Sequence, residues 1–368
     1  MAHIKDFVKR EPTLCIAFIA ALFSCILVPI DSHYIGYIDF RTLALLYALM
    51  VVVSGLRRAG VFGYLAHKLC EKADSARKLG VILILLSFFS SMLVTNDVAL
   101  LTFVPFAVVV LGLAHQEREL VWVVVLQTVA ANLGSMLTPV GNPQNLFLFS
   151  YYNLTMAEFI KATLPIWLLS VALILLLCLH LPKAHVDIFL GEEPILHVKR
   201  LLLYLALFCL CMLVVLRLIG WELMLLMLIL VLLVFDRRRL LHADFLLLAT
   251  FVCFFVFAGN LARLEPVEKA LNALLKGREL FCGMAASQVI SNVPAALLLS
   301  GFTENGKALL LGVNIGGLGT PVASLASLIS MKLYSHSDNA SLGAFMKCFL
   351  ALNLALLVVL ALAATLLI

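Results

Sequence analysis

One pattern is written twice in this 368-residue chain. Asn132-Leu133-Gly134-Ser135-Met136-Leu137-Thr138-Pro139 is echoed by Asn314-Ile315-Gly316-Gly317-Leu318-Gly319-Thr320-Pro321, an Asn-x-Gly-x-x-x-Thr-Pro motif set inside long apolar runs. Glycine and proline are costly inside a helix, because one adds backbone freedom and the other removes a donor. At membrane depth the freed backbone groups must be satisfied internally, so an unwound helix is tolerated only where it lines a cavity or an ion site. Two broken helices at corresponding places therefore predict a carrier of ions or solutes.

The apolar runs fix the class. With 64% hydrophobic and 13% charged residues, the chain cannot keep its apolar surface out of water as a soluble globule. Residues 14–29, 164–181 and 342–367 are continuous apolar stretches of helix-spanning length, whereas a β-barrel needs short alternating segments. The fold class is all-α, a polytopic protein embedded in the lipid bilayer. Lys5, Lys9 and Arg10 precede the first run, Arg57, Arg58, Lys68, Lys72, Arg77 and Lys78 share one connection, and Arg237 to Arg239 share another. The positive-inside rule then puts the N-terminus in the cytoplasm and the C-terminus outside, in an inner or plasma membrane, and leaves no nucleic-acid role for the basic charge. The first run lacks a small-x-small cleavage site and reads as an uncleaved helix. The nine cysteines form no C-x-x-C pair and read as small buried hydrophobes.

Nine crossings follow, at 14–30, 41–55, 119–149 (interrupted), 163–181, 200–218, 222–235, 244–259, 307–333 (interrupted) and 342–367. Two further apolar stretches, 79–113 and 280–303, are polar at their midpoints and read as re-entrant hairpins. Asp39-Phe40 and Asp244-Phe245 open matching spans, and semi-polar helices near 61–72 and 265–277 follow them. The chain thus divides into a first repeat at 12–182, a connecting segment with one extra helix at 183–221, and a second repeat at 222–368. The extra crossing inverts the second repeat relative to the first, and the two hairpin tips should meet near the bilayer midplane.

At the first tip, Thr95-Asn96-Asp97 would bring backbone carbonyls from one short helix and N–H groups from the other to one place. Carbonyl and amide oxygens suit a dehydrated cation, and helix N-termini suit an anion. The competing reading is a kink in a crossing helix with Asn96 bonded to backbone. Asp97 is the only acid placed near the bilayer centre, where a bare carboxylate costs about 3 kcal/mol. It should be paired with a cation, protonated, or face water, and a coupling role for H+ or Na+ stands against simple capping of the next half-helix.

The partner of that tip is the first break, Thr138-Pro139-Val140-Gly141-Asn142-Pro143-Gln144-Asn145, unless it is an extramembrane turn. Two prolines remove donors, glycine permits unusual dihedrals, and Asn142, Gln144 and Asn145 supply amides. In the second half Ser287, Ser291-Asn292-Val293-Pro294 and the break from Gly316 through Gly319, Thr320 and Pro321 to Ser327 match it without an acid. A cation there would rest on carbonyls, hydroxyls and Asn292, which suits Na+ better than H+. The histidines, including His3, show no H-x-x-x-H pair, and no phosphate loop, cofactor motif or catalytic triad is recognisable, so the chain does not read as an enzyme.

On these residues the chain resembles the ion transporter superfamily of divalent anion:sodium symporters, citrate carriers, arsenite permeases and some sodium/proton antiporters. The resemblance runs from about residue 12 to 367. In the dicarboxylate branch each tip reads Ser-Asn-Thr, and the asparagines and Thr-Pro breaks build two sodium sites while the tips hold substrate carboxylates. The resemblance thus implies Na+ at Asn96, Thr138 and Gly141 and at Asn292, Gly319 and Thr320. It implies solute at Thr95, Asn96, Asp97, Asn142, Pro143, Ser291, Asn292, Val293, Thr320 and Pro321. Asp97 and Val293 replace the expected threonines, so two hydroxyls are lost and an ionised Asp97 would repel a carboxylate. An Asn-Asp tip is closer to the arsenite-permease and antiporter branches, where an acid carries the coupling proton. An elevator mechanism and a homodimer formed through the scaffold are further implications.

The expectation is therefore a cation-coupled secondary transporter of a small anion, either a carboxylate or an inorganic oxyanion including arsenite. A sodium/proton antiporter is the alternative, and a membrane-embedded enzyme the distant one.

Overall fold

The structure, a computed structural model, describes residues 11–186, 192–337 and 340–367. Lys5, Lys9, Arg10 and His3 lie outside the described residues. Regular structure among those described is helical, apart from one antiparallel bridge between Ser75 and His185. The first half runs α1 (Pro12–Leu27), α2 (His33–Tyr37), α3 (Phe40–Arg58) and α4 (Val61–Cys70), then a hairpin of α5 (Ala76–Ser90) and α6 (Asn96–Leu113). The limbs of the first broken helix are α7 (Leu120–Gly134) and α8 (Pro143–Tyr151), and α9 (Met156–Cys178) follows. After α10 (Val198–Val215) come α11 (Trp221–Phe235), α12 (Phe245–Ala262) and α13 (Glu265–Leu275). The second hairpin is α14 (Glu279–Ile290) and α15 (Asn292–Leu299), the second broken helix α16 (Gly306–Ile315) and α17 (Leu325–Ser335), and α18 (Leu342–Thr365) ends the fold.

Local chemistry sets the ends. Asp39 opens α3 and Asp244 opens α12 with φ/ψ of −79°/87° and −80°/87°, each carboxylate accepting the N–H three residues on, from Thr42 and Leu247. A Thr155/Glu158 capping box starts α9. Both interruptions share one course: Thr138 and Thr320 are extended, a single 3-10 turn follows over Pro139–Gly141 or Pro321–Ala323, and Asn142 or Ser324 is extended again before the next limb. Each Thr is pushed out of the helical region because it precedes a proline.

Among the described residues seven helices are long and apolar enough to cross a bilayer: α3, α6, α7 with its flanking turns (117–137), α9, α10, α12 and α18. The crossings expected at 14–30 and 222–235 correspond to α1 and α11, of 16 and 15 residues, which at 1.5 Å per residue are shorter than a hydrocarbon core of about 30 Å. At 18 residues α6 is longer than a half-span arm needs to be. It continues through Pro105, and Leu101, the carbonyl that Pro105 cannot serve, accepts from Arg57 Nη2 at 3.3 Å.

Two packed regions result. In one, α1 lies on α12, and α3 packs on α10 and α11. In the other, the hairpin arm α5 packs on α7 and its counterpart α14 on α16, with α9 and α18 bracing both broken helices. Each hairpin's outgoing arm meets the other half's broken helix, α6 against α17 and α15 against α8. Large apolar side chains such as Ile26, Leu176, Val234, Phe235 and Leu362 point outward, as a lipid-facing surface requires. The α7 span is 83% buried, which is why it can carry Gln127, Thr128 and Asn132 at depth.

Candidate functional site

Four helix N-termini converge on one crevice. It is lined by Asn96 and Asp97 of α6, Pro143 and Gln144 of α8, Asn292 and Val293 of α15, and Ser324 and Leu325 at the start of α17, with Leu247 of α12 closing it. Its volume of about 10 Å3 is at the lower limit for a single water. Unpaired N–H groups and aligned peptide dipoles make each N-terminus favourable to negative charge. The two tips are built differently. Five residues, 91–95, turn the first hairpin, whereas Ser291 alone turns the second, at φ 73° and ψ 155°. That region is nearly closed to residues other than glycine and costs about 1–3 kcal/mol, strain of the kind held at functional sites.

Asp97 is in the first turn of α6 and is not its cap, which is Thr95. Its N–H is taken by Asn96 Oδ1 at 3.0 Å. Among the described residues no Lys or Arg forms an ion pair with the carboxylate, and none lines the crevice. Gln144 is 1% exposed and its Nε2 has no hydrogen-bond partner, so a donor is held ready at the crevice wall.

The two copies of the repeated motif lock onto each other. Asn132 Oδ1 accepts from Asn96 Nδ2 at 3.0 Å and from Ser324 Oγ at 2.9 Å, and Asn132 Nδ2 reaches Ser327 Oγ at 3.5 Å. Asn314 does the same in the opposite sense: its Oδ1 accepts from Asn142 Nδ2 at 3.3 Å and its Nδ2 donates to Asn145 Oδ1 at 2.6 Å. Asn142 and Asn145 stand four and seven residues after Thr138, as Ser324 and Ser327 stand after Thr320. Each motif asparagine thus holds the second limb of the other break.

The breaks are also tied to their own hairpins. Thr138 Oγ1 donates to the Met92 carbonyl, and Thr320 Oγ1 to the Gln288 carbonyl at 3.2 Å, while Ser291 Oγ donates to Ala323 at 3.4 Å. The backbone carbonyls of the breaks face amide donors. Asn145 Nδ2 lies 3.2, 3.4 and 3.2 Å from the oxygens of Ser135, Met136 and Thr138. Gln288 Nε2 lies 2.8 and 2.9 Å from those of Gly316 and Leu318.

Of the residues singled out from sequence, Asn96, Asp97, Pro143, Asn292 and Val293 share the crevice. Thr95 and Ser291 cap its hairpin helices, and Asn142 caps α8 while bonding Ser135 and Asn314. Thr138, Gly141, Gly319, Thr320 and Pro321 form the breaks behind it. Asn132, Asn314, Ser324 and Ser327 were legible as parts of the repeat, yet no role followed from their spacing. Gln288 carried no signal, because Met92 stands at its place in the first half.

A family model described as a citrate transporter matches residues 7–304, up to the base of the second hairpin. The chain is 33% identical over 326 residues to an uncharacterized transporter of Methanocaldococcus jannaschii, covering 86% of each chain. It is 30% identical over 304 residues to an inner membrane protein of Escherichia coli strain K12, covering 80% of each. A shorter similarity, 35% over 155 residues, relates 41% of this chain to 31% of a silicon efflux transporter of Oryza sativa subsp. japonica.

Proposed function

The chain belongs to the citrate transporter family and is a membrane transporter rather than an enzyme, and from that premise we propose a cation-coupled secondary carrier of a small inorganic oxyanion or its weak acid. The crevice where the four N-termini meet is its binding site, and Asp97 is the group through which H+ or Na+ is coupled. One observation carries this reading: N–H-rich helix ends and the free Gln144 donor surround a carboxylate that has no cationic partner among the described residues. Donors without a fixed positive charge suit a hydroxylated oxyacid. A di- or tricarboxylate would bring several negative charges to Asp97 with no Lys or Arg among the described residues lining the crevice to offset them. The relative named for silicon efflux is in keeping with such a solute, although the family's own name points to a carboxylate.

The reading extends to the frame. The reciprocal bonds of Asn132 and Asn314 support two inverted repeats related by a pseudo-two-fold axis at the site. The resemblance extends to an elevator, in which the hairpins, broken helices, α9 and α18 move against α1, α3 and α10 to α12; the seam that would have to part is the apolar cluster where α3, α10, α11 and α12 meet Phe103 of α6, Phe147 of α8 and Ala296 of α15. The crevice has to open for solute, as it does when such bodies separate. The test is flux of a solute panel (arsenite, silicic acid, phosphate, sulfate, succinate, citrate) into proteoliposomes under imposed Na+ or H+ gradients. Gradient-dependent movement of a small oxyacid is expected. Movement of citrate or succinate alone would contradict the site reading, and gradient exchange of Na+ for H+ with no solute flux would make the protein an antiporter.

A further inference from the structure

The sodium sites that the family resemblance implies have a geometric requirement: several carbonyl oxygens must point at one spot left free for the ion. In both halves carbonyls of the break converge on an amide nitrogen, and of the residues so implied Thr138 contributes one of them. Gln288 Nε2 sits 2.8 Å from the Gly316 oxygen, 2.9 Å from that of Leu318 and 3.3 Å from that of Met284, while its Oε1 accepts the Thr320 N–H at 2.9 Å. Gly319, at φ 102°, passes directly beneath, and an added Cβ would lie 2.2 Å from Gln288 Oε1. Asn145 Nδ2 takes the same position in the first half among Ser135, Met136 and Thr138, with its Oδ1 held by Asn314 at 2.6 Å. Met136 and Leu318 are counterparts in the repeated motif, so the two amides share one equivalent carbonyl and differ in the rest.

We infer that the side-chain amides of Gln288 and Asn145 stand where a dehydrated cation would stand, so that the helix breaks are held by internal N–H groups and bind no sodium. Two N–H bonds per amide neutralise the carbonyl dipoles as an ion would, and an ion and an NH2 group cannot share the space. Gln288 is then a positioning residue that fixes the second break to its hairpin whatever the ionic conditions. This deepens the carrier reading and rests on it, because it leaves Asp97 as the coupling group, but its test needs no transport.

The test is thermal melting of the purified full-length protein in NaCl and in choline chloride at equal ionic strength. Gln288→Met copies the residue at the matching place in the first half, and Gln127→Met is the control, since Gln127 Nε2 bonds the Leu83 and Phe103 carbonyls away from the breaks. Asp97→Asn, which offers no carboxylate to an ion, should melt alike in both salts. In that background Gln288→Met should melt lower by about 3 °C or more and recover in Na+ but not in choline, whereas Gln127→Met should lose stability with no recovery in Na+. Saturable Na+ stabilisation of the Asp97→Asn protein would overturn the inference, and so would a Gln288→Met protein in that background as stable as its parent or one that Na+ does not rescue. If that variant does not fold, the Asp97→Asn melt decides alone. A failed flux panel with these melts as expected would sink the carrier reading and leave the amide placement standing.

Discussion

Asn132 and Ser324 are 192 positions apart and hydrogen-bond directly, the serine hydroxyl donating to Asn132 Oδ1 at 2.9 Å. The same oxygen accepts from Asn96 at the first hairpin tip. One buried atom thus joins a tip, the first limb of one broken helix and the second limb of the other. The relative position of these elements decides where Asp97 lies.

Asn132→Ala takes the acceptor from two buried donors, Asn96 Nδ2 and Ser324 Oγ, which costs about 1–3 kcal/mol, while Ser324→Ala removes one of the two hydrogen bonds to Asn132 Oδ1 and costs less. Asn132→Ala and Ser324→Ala should therefore each destabilise the protein. Because the two side chains share one bond, the double variant should lose less than the sum, with an interaction of about 0.5–3 kcal/mol. Chemical unfolding in detergent measures this, and strict additivity would show that the bond does not hold the two breaks together.

Gln144 offers a separation of stability from binding. Its Nε2 is already unpaired and buried, so Gln144→Met should change the melting temperature little. If that donor serves the solute, affinity should fall about tenfold or more, the equivalent of one hydrogen bond of 1.4 kcal/mol. Melting and solute-concentration curves on the same preparation check it, and unchanged affinity would remove Gln144 from the site.

Glycine in the motif serves close approach of backbones. A Cβ on Gly134 would lie 2.1 Å from the Phe88 carbonyl oxygen, and one on its counterpart Gly316 would lie 2.8 Å from Met284 Cα, so both would push a hairpin off its broken helix. Gly134→Ala and Gly316→Ala should each cost about 1–3 kcal/mol or more. At Gly112 and Gly343 an added Cβ meets nothing within 4 Å, and alanine there should be tolerated. Melting temperatures of the four variants test this.

The helical class and the place of each break were legible because they are local. Apolar length, a Pro-preceding Thr and a capping Asp act within a few residues, and Asp39 and Asp244, read as the openings of matching spans, are found as the caps of α3 and α12. Asn96 and Asn292 begin helices for the same reason. What the chain did not disclose is pairing across more than a hundred residues. Asn132 reads as a motif letter until Ser324 is seen beside it, and Gln288 reads as one more polar residue near a helix end. α6 also runs on through Pro105, with Arg57 serving the freed carbonyl, a contact 44 positions away in the chain.

The central claim is that Asp97 couples a cation gradient to solute movement at the crevice. The most direct measurement compares wild type and Asp97→Asn in proteoliposomes, following a transported oxyacid under an imposed H+ or Na+ gradient and again down its own gradient. The account predicts that wild type accumulates solute against its gradient, and that Asp97→Asn keeps downhill flux but loses gradient-driven accumulation. Undiminished accumulation by Asp97→Asn would contradict it and reduce Asp97 to an acid in the first turn of α6.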